Sequence, residues 1–151
     1  MNYDVPREVI EQRLATCALN NLRKAMRAAT QMYDEALAPS GLRSTQFGVL
    51  ATIRLRDGVS MSHLAHELLT DRTTLTRNLK PLEREGLIRI TSGRDARTRL
   101  ISLTDRGREA LYEAAPLRME AQQKVEAALG ETRYAALLDG LLGVIDVARD
   151  R

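Results

Sequence analysis

A single cysteine, Cys17, stands in 151 residues, which excludes an intrachain disulfide framework and fits a reducing cytoplasm. No stretch comes near the roughly 18 apolar residues that a membrane span requires. The segment Met1 to Val9 has acids, a proline and no apolar core run, so it is not read as a signal peptide. The expectation is a cytoplasmic chain with no membrane partner. Also missing are a phosphate-cradling glycine loop, a nucleophile-base pair and a carboxylate dyad, so the sequence is not read as an enzyme. The two histidines, His63 and His66, form with Glu67 three candidate metal ligands within one turn. There is no second cluster, and the spacing is not His-Glu-x-x-His. Neither a metal nor a cofactor is expected, and exposed or phosphate-proximal histidines are the favoured reading.

What is present is the balance of a globular chain, 44% apolar and 28% charged, in a length suited to one domain. The formal net charge is +3, and its distribution says more than its total. From Arg72 to Arg108 ten basic residues stand against four acidic ones, a local +6 that leaves −3 for the remaining chain. Such a segment can displace the counterions around phosphates. A merely solvated face is the alternative, and the coincidence of this charge with the motifs below argues against it.

From about Arg7 to Leu37, Ile10, Leu14, Cys17, Leu22, Met26, Ala29, Tyr33 and Leu37 recur mostly at steps of three or four, which predicts one long amphipathic helix. Pro39-Ser40-Gly41 ends it. A helix over about Ser44 to Leu55 presents Phe47, Leu50 and Ile53, and Asp57-Gly58 is the next punctuation. Ser60 can cap a short helix, Met61 to Leu69. Thr70-Asp71 connects it to a helix over Arg72 to about Glu85 with Leu75, Leu79 and Leu82 facing inward. Two helices so joined are a helix-turn-helix. Pro81 lies inside the second, where it removes the helical donor to the Arg77 carbonyl. One bent helix is the favoured reading, because the leucine spacing crosses the proline; a break after Leu79 is the other. Beyond Gly86 the period becomes two: Ile88 and Ile90, then Ile101 and Leu103, predict a β-hairpin whose tip, Ser92 to Arg97, is polar and basic. Thr104 can cap a long helix to Leu129, bent near Pro116, and Gly130 precedes a last helix, Glu131 to about Ala148. Its stripe is Tyr134, Leu137, Leu138, Leu141, Leu142 and Ile145. The fold class is mainly α with a small β-hairpin.

The helix opening at Arg72 has the size that enters a major groove, where base edges present distinguishable donor and acceptor patterns. Arg72, Thr73, Thr74 and Thr76 occupy the end that meets bases in helix-turn-helix docking, and their hydroxyls and N–H groups can also hold phosphate. Arg77 and Lys80 reach flanking phosphates. Arg94 and Arg97 at the hairpin tip suit a narrow, electronegative minor groove, and Asp95, which would repel phosphate, is better placed to support Arg97 or the turn. Double-stranded DNA is therefore the expected partner. A winged helix that serves only protein interaction is the rival.

The run Asp71 to Gly107 resembles the MarR family of winged-helix regulators, most specifically at Asp95-x-Arg97, at Ile101-Ser102-Leu103-Thr104 with Gly107, and at Leu82-Glu83-x-x-Gly86-Leu87. The resemblance covers nearly the whole chain. It implies one domain over 1–151, a homodimer built by end helices of about 7–38 and 105–149, and a winged helix-turn-helix lobe of about 44–103. It further implies major-groove docking of the helix from Arg72 and minor-groove insertion of Arg97. The implied function is ligand-responsive repression from a pseudo-palindromic operator, with a small-molecule effector of unassigned identity. Met26, Met32 and Met119 are candidate pocket residues, although methionine in such helices is usually core filler. One branch of the family uses a cysteine near the start of its first helix, held by tyrosines, as a peroxide sensor. Here Cys17 has Tyr33 sixteen residues on, and Phe47 where a second tyrosine would stand, so inert packing competes with redox sensing.

Overall fold

Apolar residues of eight helices and strands converge on one core, and that convergence fixes the central lobe of the chain. The computed structural model describes residues 5–56, 58–93 and 98–149. In chain order the helices are α1 (Arg7–Thr16), α2 (Ala18–Leu37), α3 (Ser44–Arg56), α4 (Met61–Glu67), α5 (Arg72–Arg84), α6 (Asp105–Leu129) and α7 (Glu131–Arg149). The strands are β1 (Val59–Ser60), β2 (Ile88–Ser92) and β3 (Arg99–Leu103). Leu50, Ile53, Leu64, Leu75, Leu79, Leu82 and Ile101 are at most 1% exposed, so α3, α4, α5 and the sheet share one interior. Each such side chain contributes about 1.5–3 kcal/mol by leaving water. Leu37, at the end of α2, and Leu111 and Ala114 of α6 enter the same cluster. Helices α2 and α6 are thus tied to the lobe.

Three local findings refine the sequence reading. The single helix expected over 7–37 is two, because Cys17 is extended (φ −71°, ψ 114°) and separates α1 from α2. The side chains of Asn20 and Asn21 supply what the broken ladder lacks. Asn20 Nδ2 donates to the Leu14 carbonyl at 3.1 Å, and Asn21 Nδ2 to the Ala15 carbonyl at 2.8 Å. Secondly, the expected hairpin gains a third strand. Val59 pairs antiparallel with Ile101, giving the order β1-β3-β2, while Ile88 opposes Leu103 and Ile90 opposes Ile101. Thirdly, α4 ends at Glu67 rather than Leu69, and Leu69 takes the left-handed conformation at φ +48°. Its N–H donates to His66 O and that of Thr70 to Ala65 O, the hydrogen-bond pair that closes a helix in a Schellman turn.

Helix α5 runs through Pro81 without a break. Leu75 and Leu79 before the proline and Leu82 after it are all buried, so tertiary packing holds the last turn where the ladder is interrupted. Gly86 at φ +71° then closes the helix, with its N–H on Glu83 O and the Leu87 N–H on Leu82 O. Helix α6 likewise continues through Pro116. Its start is fixed on the end of α5. The Thr104 hydroxyl donates to Gly86 O at 2.6 Å, the Thr104 N–H donates to Leu87 O at 3.1 Å, and the Gly107 N–H donates to the Thr104 hydroxyl at 3.0 Å. A Cβ on Gly107 would lie 1.9 Å from Leu87 O, so only glycine permits this approach.

Candidate nucleic-acid interface

The local sequence makes α5 a helix with two unlike faces. Leu75, Leu79 and Leu82 are buried, whereas Arg72, Thr73, Thr76, Arg77 and Lys80 are exposed and together line one shallow concavity of about 450 Å³. Steps of three and four carry both sets, which is why one helix can be anchored behind and cationic in front. Three cations and two hydroxyls on a single face can hold phosphate oxygens and reach base edges. The acids of α5 and its C-cap, Glu83 and Glu85, fall at the far end from Arg72, and the acid at the near end is Asp71, which precedes the helix.

Thr74, expected with this set, plays a different part. It is half-buried, its N–H donates to Asp71 Oδ1 at 2.8 Å, and its hydroxyl donates to Asp71 Oδ2 at 2.7 Å. Asp71 is thus the N-cap of α5, a role beyond the connection read from the sequence. The signal available was Asp three residues before a threonine at the head of an apolar-periodic run. Those two bonds, the Thr74 side chain first, hold the Asp71 carboxyl below its ordinary range. The Thr76 hydroxyl donates to Arg72 O at 2.7 Å and has lone pairs for outside donors.

The hairpin carries Arg89 and Arg99 exposed, opposite Ser102 and Ser92 respectively. Gly93 N–H donates to Thr98 O at 2.7 Å and extends the ladder beyond the Ser92–Arg99 pair. Arg94, Asp95 and Arg97 lie outside the described residues. On the first helix of the motif, Glu67 takes the Arg56 guanidinium and faces His63 Nε2 at 3.3 Å, so that carboxylate is engaged in a surface ion pair. Among the described residues no group of three or more His, Cys, Asp or Glu side chains is gathered as a metal would need. Among the same residues no helix is long and apolar enough to cross a membrane.

Away from α5, α2 and α6 meet the lobe, and α7 joins them, at a cluster the sequence did not disclose. The Arg118 guanidinium lies 5.0 Å from the ring centre of Tyr33 and 5.4 Å from that of Phe47. Tyr33 donates its hydroxyl hydrogen to Gln122 Oε1, and Gln122 Nε2 donates to the Tyr134 hydroxyl, which joins α2, α6 and α7. Tyr33 is thereby engaged with Gln122, while Cys17 is a half-buried free thiol at the α1–α2 break. Met26 and Met119 are 64% and 61% exposed in the single chain, so they are not core filler within it. Asp34 of α2 caps α3, accepting the Ser44 N–H at 2.6 Å. The Ser44 side chain, ahead of this backbone bond, holds its carboxyl below the ordinary value.

Comparison with known proteins places this geometry. A MarR family model matches residues 40–98, from the turn before α3 into the hairpin. The transcriptional regulator MosR of M. tuberculosis, solved in complex with DNA, is 43% identical. The match covers 88% of this chain and 98% of that one, with a TM-score of 0.78. The transcriptional repressor CouR, solved on a 23-mer DNA duplex, is 27% identical over 88% of this chain and 95% of its own, with a TM-score of 0.80. The uncharacterized HTH-type transcriptional regulator YwoH of Bacillus subtilis is 29% identical over 101 residues, 67% of this chain and 73% of its own. A helix-turn-helix with a cationic outer face, identity across nearly the whole of a solved regulator, and a family model over the lobe agree: the chain belongs to the MarR family of DNA-binding winged helix-turn-helix transcriptional regulators.

Proposed function

We propose that this chain is a homodimeric, ligand-responsive repressor that binds a pseudo-palindromic operator. The observation that carries the reading is the exposed face of α5, where Arg72, Thr73, Thr76, Arg77 and Lys80 converge while the leucines behind them are buried. In this reading α5 lies in the major groove and Arg94 and Arg97 enter the adjacent minor groove, with Asp95 steadying the wing. Thr74 acts through the cap. Two-fold symmetry sets two such helices on half-sites about one helical turn apart. The end helices support the dimer: α7 runs 19 residues and α1 runs 10, with no buried residue in either. Helices of that length have little stability in water without a covered face.

The effector part of the proposal rests on Arg118. A guanidinium between two aromatic rings, half-buried where α2, α3 and α6 meet, suits a small anion with an aromatic body. A ligand there would favour one disposition of lobe and end helices, and would release DNA by its differential affinity for the two states.

Selection of duplexes from a random library at near-physiological salt tests the reading, followed by affinity measurements on the winning duplex with native chain and Arg97→Ala. Enrichment of an inverted repeat, bound more weakly by the variant, is the expected result. If folded, dimeric protein enriches no duplex, a protein-interaction module becomes the better reading.

A further inference from the structure

The flank of α5 that faces α3 carries a groove that the major-groove reading does not use. It has a volume of about 400 Å³, and its lining includes Arg43, Thr45 and Gln46 from the start of α3 and Arg77, Asn78 and Pro81 from α5. Arg77 belongs both to this groove and to the exposed α5 face, so the two surfaces are continuous. Every polar group at the groove is a cation, a hydroxyl or an amide; no carboxylate lines it. Arg43 is exposed. Its backbone N–H is held by Gln46 Oε1 at 2.9 Å, which fixes the point from which the guanidinium projects. Asp34, the acid within the field of Arg43, accepts the Ser44 N–H, and with Glu35 it lines the adjoining concavity on the α2 side, to which Arg43 also belongs.

We infer that this groove seats a backbone phosphate of the bound duplex, with Arg43 and Arg77 as a two-sided clamp and Thr45 and Asn78 as neutral donors. The inference rests on the DNA-binding reading and deepens it. A helix lying in a major groove has a phosphate strand along each side, and a strand passing Arg77 on the α3 side meets Arg43 next. Guanidinium groups from two separate elements constrain where the strand lies, so the contact sets docking register and carries no sequence information of its own. Pro81 contributes a rigid wall without an N–H donor of its own.

Salt dependence of duplex affinity reads this directly, using anisotropy with the selected duplex and an unrelated one. Native chain, Arg43→Ala, Arg43→Gln and Arg43→Lys would be compared after their melting curves are matched. Arg43→Ala removes one phosphate contact from each protomer, two per bound dimer, so the slope of log affinity against log salt should fall by about 1.8 and the gap between native and variant should narrow about 12-fold between roughly 50 and 200 mM salt. Both duplexes should weaken by the same factor, and Arg43→Lys should recover most of the slope. Arg43→Gln, which removes the charge but keeps a polar side chain longer than that of alanine, gives the same reading if the alanine variant melts early. A native-like slope in the alanine and glutamine variants, while Arg77→Ala lowers it, overturns the clamp and leaves DNA binding standing. Absence of duplex binding by native chain overturns the DNA-binding reading and the clamp together.

Discussion

Asp71 and Asp34 cap the two helices that frame the interface, and each is held as a carboxylate by hydrogen bonds, from Thr74 and Ser44 respectively. Their folded pKa values lie below the ordinary 3.8, so across that range the unfolded chain binds more protons than the folded one. The stabilisation they give is therefore complete above about pH 5 and is lost as pH falls through the lowered folded values. Urea unfolding at pH 5 and at pH 3 should show the native chain losing stability over the interval, and Asp34→Asn/Asp71→Asn losing distinctly less. Equal losses would mean that other carboxylates govern the acid limb. Gly107 makes a second prediction at this scale. With a Cβ only 1.9 Å from Leu87 O, Gly107→Ala must push α6 off the end of α5, at a cost of about 1–3 kcal/mol. A thermal melt within a degree of native would show that the junction yields freely. Gly107 leaves no trace of this in its own neighbourhood of the sequence, and Asp71 leaves a local signal that does not by itself settle the cap. The first depends on a backbone twenty residues away, the second on which of two polar residues in Thr70-Asp71 turns its side chain onto the next helix.

At the scale of elements, most of the architecture is legible because burial is periodic. Leu75, Leu79 and Leu82 announce α5 through its proline, and Ile88, Ile101 and Leu103 announce the hairpin, since each stripe faces one continuous core. Reading fails where a contact rather than a period decides. β1 has two residues, too few to alternate, and exists because Val59 finds Ile101. The break at Cys17 did leave a trace: the apolar steps of three and four widen to five between Cys17 and Leu22, over Asn20 and Asn21, whose amides take the freed carbonyls. The pairing of Arg118 with Tyr33 and Phe47 had no trace at all, because Arg118 lies on α6, far along the chain from α2 and α3. The helix-turn-helix itself turns on Leu69, a leucine where a left-handed residue is required, at a cost of about 1–2 kcal/mol. Asparagine visits that conformation readily, and Leu69 is 52% exposed, so it loses little burial. Leu69→Asn should raise Tm by about 3 °C. A comparable fall instead would show that the leucine holds the turn through apolar contact.

For the whole molecule the decisive quantity is the apolar surface that the single chain leaves in water. Leu137, Leu138, Leu142, Val144 and Val147 of α7 are 43–68% exposed, and Val9, Ile10 and Leu14 of α1 are 38–51% exposed. These belong to the two end helices, whereas the lobe between them has a closed core, so the excess lies where a second copy would cover it. In the proposed dimer, Leu142→Glu places a carboxylate in that face twice, once from each protomer. Self-association should weaken by at least about 2 kcal/mol, roughly thirtyfold, in sedimentation equilibrium. Operator affinity should fall with it, because a monomer engages one half-site and loses the effective concentration that tethers the second. Leu55→Glu is the matched control: Leu55 is 82% exposed at the end of α3, outside the end helices, and should leave the dimer intact. If both variants sediment as the native chain does, α7 is not the seam. If Leu142→Glu becomes monomeric yet binds the operator with native affinity, one lobe suffices for recognition, and the two-fold arrangement would serve regulation rather than binding.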